Sequence, residues 1–120
     1  MQESGEMYLE NILILGKELP HVRAIDIVER MGYSKPSVSR ALSILKTDGC
    51  IGVDAEGSVT LTEKGRGIAM KIYERHVTIS GLLISLGVSE ETALADACKM
   101  EHDISDETFD AIKRHLESLL

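Results

Sequence analysis

Cys98, Glu101 and His102 place a thiol, a carboxylate and an imidazole at i, i+3 and i+4 of the stretch 94 to 102, whose pattern predicts a helix. On one helix all three side chains leave from the same face. A soft thiolate beside a hard carboxylate and a borderline imidazole suits a divalent transition ion, whereas calcium and magnesium want oxygen throughout. Plainer readings exist for the same residues: free cysteine is among the most buried residue types, and Glu–His pairs are common on solvated helix faces. A Cys98–His102 nucleophile pair is disfavoured, because adjacent turns of one helix supply no third orienting group and no substrate cleft.

The elements that must position these residues follow from local signals. Helix 1 is predicted over roughly Ser4 to Glu18, with Ser4 as N-cap, Glu6 in the first turn and Pro20 as the stop. Tyr8, Leu9, Ile12, Leu13 and Leu15 give it a broad apolar face, and Met7 and Glu10 leave on a neighbouring line from which they could reach another element. Helix 2, about Val22 to Met31, repeats Ala24, Ile27, Val28 and Met31 at amphipathic spacing and closes at Gly32. Helix 3 follows at once, with Ser34 as N-cap and Pro36 in its first turn. Val38, Ala41, Leu42 and Leu45 form its inner face, leaving Lys35, Ser37, Ser39, Arg40 and Lys46 outside.

Two short helices joined by a tight turn, the second with an outer row of hydroxyls and bases, describe a helix-turn-helix. Cys50 to Asp54 and Ser58 to Leu61 flank Ala55-Glu56-Gly57 and predict a β-hairpin, the wing of a winged helix. Thr62 caps a long helix 4, about Glu63 to Leu86, which stops at Gly87 and whose first turns are weakened by Gly65 and Gly67. Helix 5 starts at cap Ser89, and helix 6 starts at cap Ser105 with the apolar stripe Phe109, Ile112, Leu116 and Leu119. The expected fold is mainly α: a winged helix-turn-helix over residues 1 to 62, then a helical metal-binding and dimerisation domain over 63 to 120. Helices 5 and 6 are too few to close a core alone, so a symmetric dimer is expected.

The charge is uneven. Residues 1 to 75 carry 10 Lys and Arg against 11 Asp and Glu, while residues 76 to 120 carry 3 against 9. A net charge of −7 argues against a general polyanion binder, but the near-neutral part could approach DNA while the acidic part senses a cation or dimerises. The opening residues lack the basic and apolar regions of a signal peptide and no apolar run is long enough to span a bilayer, so a cytoplasmic protein with no membrane partner is expected. Cys50 and Cys98 are then free thiols. Aromatic stacking on single strands is disfavoured, since the aromatics are one Phe and three Tyr.

Taken in order, Glu6-Met7-Tyr8-Leu9, Ser34 to Arg40, Leu61-Thr62-Glu63-Lys64-Gly65, Arg75-His76, Leu86-Gly87-Val88, Cys98-Lys99-Met100-Glu101-His102 and Ser105-Asp106-Glu107 resemble the metal-dependent transcriptional repressors that include the diphtheria toxin repressor and the manganese transport regulators. The resemblance covers nearly the whole chain and leaves no room for the C-terminal Src-homology-3-like domain of larger members. It implies that Met7, Cys98, Glu101 and His102 match the primary metal ligands of the iron-type branch. It also implies that His76 matches a ligand in both branches and Glu10 a carboxylate of the manganese-type branch. Where the iron-type ancillary site has a glutamate and a histidine, this chain has Ser80 and Leu94, so a complete site of that type is not expected. His76 with Glu10 would instead form a different second site or extend the first.

These readings lead to a homodimeric, non-enzymatic repressor that binds a double-stranded DNA operator through Lys35, Ser37, Ser39, Arg40 and Lys46, with Lys64 and Arg66 suited to phosphates. Its co-repressor would be Fe(II) or Mn(II), with Co(II), Ni(II) and Zn(II) able to bind in vitro. The sulfurs of Met7 and Cys98 favour Fe(II), and Glu10 pulls the other way. The alternatives are a metal-independent winged-helix regulator and a protein-interaction module, each with a degenerate metal site.

Overall fold

The computed structural model describes residues 3–119, which form α1 (Glu3–Glu18), α2 (Ala24–Met31), α3 (Lys35–Thr47), β1 (Ile51–Val53), β2 (Val59–Leu61), α4 (Glu63–Ser85), α5 (Glu90–Met100) and α6 (Asp106–Ser118). They divide into two compact units, one up to Met70 and one from Lys71 onward, and α4 runs through the division. The fold is mainly α, a winged helix-turn-helix followed by a helical domain. Met1 and Gln2, part of the opening read for a signal peptide, and Leu120, the last residue of the expected second domain, lie outside the described residues. Among the described residues no helix is long and apolar enough to cross a membrane.

In the N-terminal unit the apolar faces of α1, α2 and α3 meet as their spacing requires. Leu9, Ile27 and Val38 are fully buried, with Ile12, Leu13, Leu42 and Leu45 around them. Ser34 caps α3 by accepting the Ser37 N–H at 3.3 Å, and Gly32 closes α2 in the left-handed region at φ 73°. Two boundaries differ from expectation. Ser4 lies inside α1 and does not cap it; a serine is tolerated there because first-turn N–H groups have no intrahelical partner in any case. α2 begins at Ala24, two residues late, because the Val22 carbonyl is engaged by the wing, accepting the Val59 N–H at 2.7 Å, and Arg23 is extended. The Asp26 carboxylate then steadies the start of the helix by accepting the Arg23 N–H at 2.9 Å.

The wing is the antiparallel pair β1 and β2, with Ile51 opposite Leu61 and Val53 opposite Val59. It is shorter than the predicted hairpin because Asp54 turns the chain: its Oδ1 accepts the N–H groups of Glu56 and Ser58, both at 2.9 Å. Behind the wing, Thr62 caps α4 by accepting the Gly65 N–H and also donates to the Gly49 carbonyl at 2.6 Å. Gly65 sits so close to the chain entering β1 that a Cβ there would lie 1.9 Å from the Cys50 carbonyl oxygen. Its role is this close approach, and the weak helix start expected from its low propensity is a consequence of it.

The C-terminal unit consists of the rest of α4 with α5 and α6. Ile72, Ile79, Ala93, Ala97 and Phe109 form its apolar interior. Caps Ser89 and Ser105 accept the N–H groups of Thr92 and Thr108, at 3.3 and 3.1 Å. Gly81 of α4 faces Leu116 of α6, where a Cβ would make an ordinary contact at 3.5 Å from Leu116 Cδ2.

Candidate metal centre

The last residues of the opening stretch do not share one helix. α5 ends at Met100, Glu101 is its C-cap, and His102 lies in the turn that follows. The end is set from outside the helix. Arg75 of α4 donates to the Glu101 carbonyl at 3.2 Å, which the helix C-terminus leaves without an intrahelical partner, and to the Ile104 carbonyl in the following turn at 2.8 Å. Cys98 remains in the last turn of α5 and is exposed. The expected single face of thiol, carboxylate and imidazole is therefore replaced by a buried carboxylate with imidazoles on both sides and a thiol at the surface.

Glu101 is fully buried. His76 Nδ1, half-way along α4, lies 2.9 Å from its Oε2, and His102 Nε2 lies 3.3 Å from its Oε1. The His102 side chain is 1% exposed and that of His76 24%. Glu101 Oε1 accepts no hydrogen bond among the described residues. A carboxylate withdrawn from water costs several kcal/mol unless charge and hydrogen bonds compensate it. Two imidazoles and an oxygen with acceptor capacity to spare form a donor set that a divalent transition cation fits.

The remaining candidates are placed unit by unit. In the N-terminal unit Met7 is half-buried on α1, its carbonyl accepting from Asn11 at 2.8 Å, and Glu10, one turn on, is 6% exposed. Such deep burial of a carboxylate on α1 was not readable from its position beside the apolar face. In the C-terminal unit the Ser80 hydroxyl bonds back to the His76 carbonyl at 2.8 Å, and Leu94 is exposed.

On α3, Lys35, Ser39, Arg40 and Lys46 are exposed, while Ser37 is half-buried and accepts from the Ser34 hydroxyl at 2.9 Å and from Arg40 at 3.5 Å. The helix turns two further residues outward that the sequence reading passed over. Ser43 and Thr47 stand at i+3 and i+7 from Arg40, on the same outer line, and both are exposed. Their signal was the spacing itself, which the eye drawn to basic residues misses.

Residues 1–58 match the family model for the iron dependent repressor N-terminal DNA binding domain, and residues 62–119 match that for the iron dependent repressor metal binding and dimerisation domain. The chain belongs to the iron-dependent repressor family. Among its curated relatives, the transcriptional regulator MntR of Escherichia coli O6:H1 is 40% identical over 106 residues, spanning 88% of this chain and 68% of that one. The iron-dependent repressor IdeR of Mycobacterium tuberculosis is 33% identical over 119 residues, spanning 98% of this chain and 50% of that one. Among solved structures, the metal-dependent transcriptional regulator MtsR superposes with a TM-score of 0.89 at 28% identity, covering 98% of this chain and 55% of that one. The chain thus spans about half the length of several of the repressors it matches.

Within the iron-dependent repressor family, the departures at Ser80 and Leu94 acquire a physical reading here. The Ser80 hydroxyl, bonded to its own helix backbone, is a poor substitute for a carboxylate, and the exposed Leu94 has no ligand atom.

Proposed function

We propose that this chain is a cytoplasmic, homodimeric, metal-responsive repressor that binds duplex DNA, a regulator and not an enzyme. The observation that carries the reading is the fully buried Glu101 between His76 and His102, in a unit matched by a metal-binding domain. Residues 1–62 serve as the DNA-binding domain and residues 63–120 as the metal-binding and dimerisation domain. The apolar side chains Ile84, Leu86, Leu94 and Leu119 are exposed in the C-terminal unit and support its pairing with a second copy.

His76, Glu101 and His102 hold the co-repressor, Mn(II) or Fe(II), and Met7, Glu10 and Cys98 are assigned as further ligands. A carboxylate with imidazoles accepts either ion, while the exposed Cys98 and Met7 bias the site toward Fe(II) and softer ions. When bound, the ion would supply positive charge next to the buried carboxylate. Two recognition helices of a dimer must stand about one DNA turn, ~34 Å, apart to enter successive major grooves, so a metal that changes their spacing changes DNA affinity. Lys35, Ser37, Ser39, Arg40 and Lys46 of α3 face the groove, extended by Ser43 and Thr47, with Lys64 and Arg66 on phosphates.

The test is duplex binding titrated with Mn(II) and Fe(II) under anaerobic conditions and repeated with a chelator. A gain of ~100-fold on adding metal corresponds to ~2.7 kcal/mol of coupling. Equal affinity with and without chelator rejects the reading.

A further inference from the structure

Arg75 and His76 are neighbours on α4, and both end on Glu101: His76 Nδ1 meets its carboxylate at 2.9 Å, and Arg75 donates to its carbonyl at 3.2 Å. The same guanidinium donates to the Ile104 carbonyl and to the Asp106 carboxylate, and its central carbon stands 5.3 Å from the centroid of the Phe109 ring. Arg75 is only 5% exposed.

We propose that Arg75 is the positioning residue of the metal centre, fixing the main chain of the α5–α6 turn so that Glu101 and His102 are presented in one arrangement. The proposal rests on the metal-binding reading above. Its acceptors explain why a cation is used. The Glu101 carbonyl belongs to the negative end of α5, the Ile104 carbonyl to the turn that follows, and Asp106 sits in the first turn of α6, where a carboxylate is favoured. One planar fork therefore closes the end of one helix and grips the start of the next, which an apolar residue filling the same space cannot do. Burying a guanidinium costs several kcal/mol unless it is engaged. Arg75 uses both Nη groups on this turn while its buried Nε finds no hydrogen-bond partner among the described residues, which points to a demand on geometry beyond packing. A ligand on a loose turn would lose ordering entropy each time it bound, and the Arg75 grip removes that cost in advance.

The experiment compares the full chain with Arg75→Met, Arg75→Lys and Asp106→Asn, reading Mn(II) affinity from the free-Mn(II) paramagnetic resonance signal. In parallel, amide exchange is followed across residues 101–105 without metal. Arg75→Met is expected to weaken Mn(II) binding by ~10–100-fold, the range typical of residues that orient ligands, and to speed exchange in that turn. Arg75→Lys keeps the charge but not the fork and recovers part of both losses, and Asp106→Asn gives a smaller shift in the same direction. If Arg75→Met does not fold, the other two variants carry the test, and unchanged affinity and exchange in both overturn the proposal. Wild-type binding of Mn(II) together with unaltered affinity in the Arg75 variants overturns the role of Arg75 alone. A wild-type chain that binds neither Mn(II) nor Fe(II) overturns the metal reading and this inference with it.

Discussion

The two units solve the problem of an interior in opposite ways. Among the described residues, the N-terminal unit buries fourteen apolar ones from Tyr8 to Ala69, among which the polar Glu10 and Ser58 are minor interruptions. The described residues of the C-terminal unit include five buried apolar ones, Ile72, Ile79, Ala93, Ala97 and Phe109, two of them alanines, beside the polar Arg75, Ser80 and Glu101. Apolar burial at roughly 25 cal/mol per Å² gives the first unit a driving force of its own. The second sets buried charged side chains beside a thinner apolar interior, an arrangement that becomes favourable only when those charges are compensated. The first unit is built to be stable, and the second to be completed.

The largest predicted effect tests that contrast at Glu101. Glu101→Gln keeps the shape but removes the buried charge, so Mn(II) affinity should fall by more than the ~10–100-fold that orienting residues cost. The metal-free protein should at the same time gain stability, since a buried carboxylate is replaced by a neutral amide. Calorimetric unfolding without metal, set beside Mn(II) titration, checks both. A variant that loses metal binding and stability together would mean that Glu101 is a structural ion-pair partner, and the contrast between units would fail.

What the sequence disclosed follows the same division. Caps at Ser34, Thr62, Ser89 and Ser105 and stops at Gly32 and Gly87 were legible because each is decided by chemistry within a few residues. The end of α5 was not, because it is set by Arg75, a residue 26 positions away in the chain that reads locally as an ordinary solvated base. The site was legible as a list of ligand types but not as an arrangement. Cys98 looked central on a helical wheel, and the helix stops before Glu101 and leaves the thiol exposed. Gly65 carried a readable penalty for helix formation, while its reason, the Cys50 carbonyl, lies across the fold.

Gly65 therefore probes the first unit. Gly65→Ala places a methyl group 1.9 Å from the Cys50 carbonyl oxygen, a clash with backbone that no side-chain rotation relieves. Overpacking of this kind costs ~1–3 kcal/mol. Denaturant unfolding followed by tyrosine fluorescence should show the loss, while Mn(II) affinity per folded molecule stays within about twofold, the change expected of a site remote from the substitution. Full stability in the variant would mean that the packing of α4 behind the wing is looser than the geometry indicates.

A comparable magnitude, read in binding and not in stability, is expected on α3. Arg40→Ala removes an exposed base from α3 and should cost ~1–3 kcal/mol of operator affinity if, as proposed, it reads a base edge. Mn(II) affinity should not change. Unaltered operator affinity and site preference would place the DNA face elsewhere in the unit.

The smallest effect concerns pH and belongs to the C-terminal unit. Lys71, hydrogen-bonded at 3.1 Å, and then Arg75 hold the Asp106 carboxyl below the usual carboxylate range. Because the folded value lies below that of the unfolded chain, the carboxylate contributes stability above the unfolded value of about 4. That contribution fades as pH falls through the folded value. It must be small, since the Asp106 side chain is 68% exposed and solvent screens it. Asp106→Asn should accordingly be less stable than the wild type near neutrality, with the gap closing on acidification as both chains come to carry a neutral group at this position. Thermal midpoints of the two proteins, measured without metal from pH 7 to pH 3, give the comparison. A gap that stays constant over that range would mean that Asp106 acts through hydrogen-bond geometry alone and that its charge contributes nothing to holding α6 on α4.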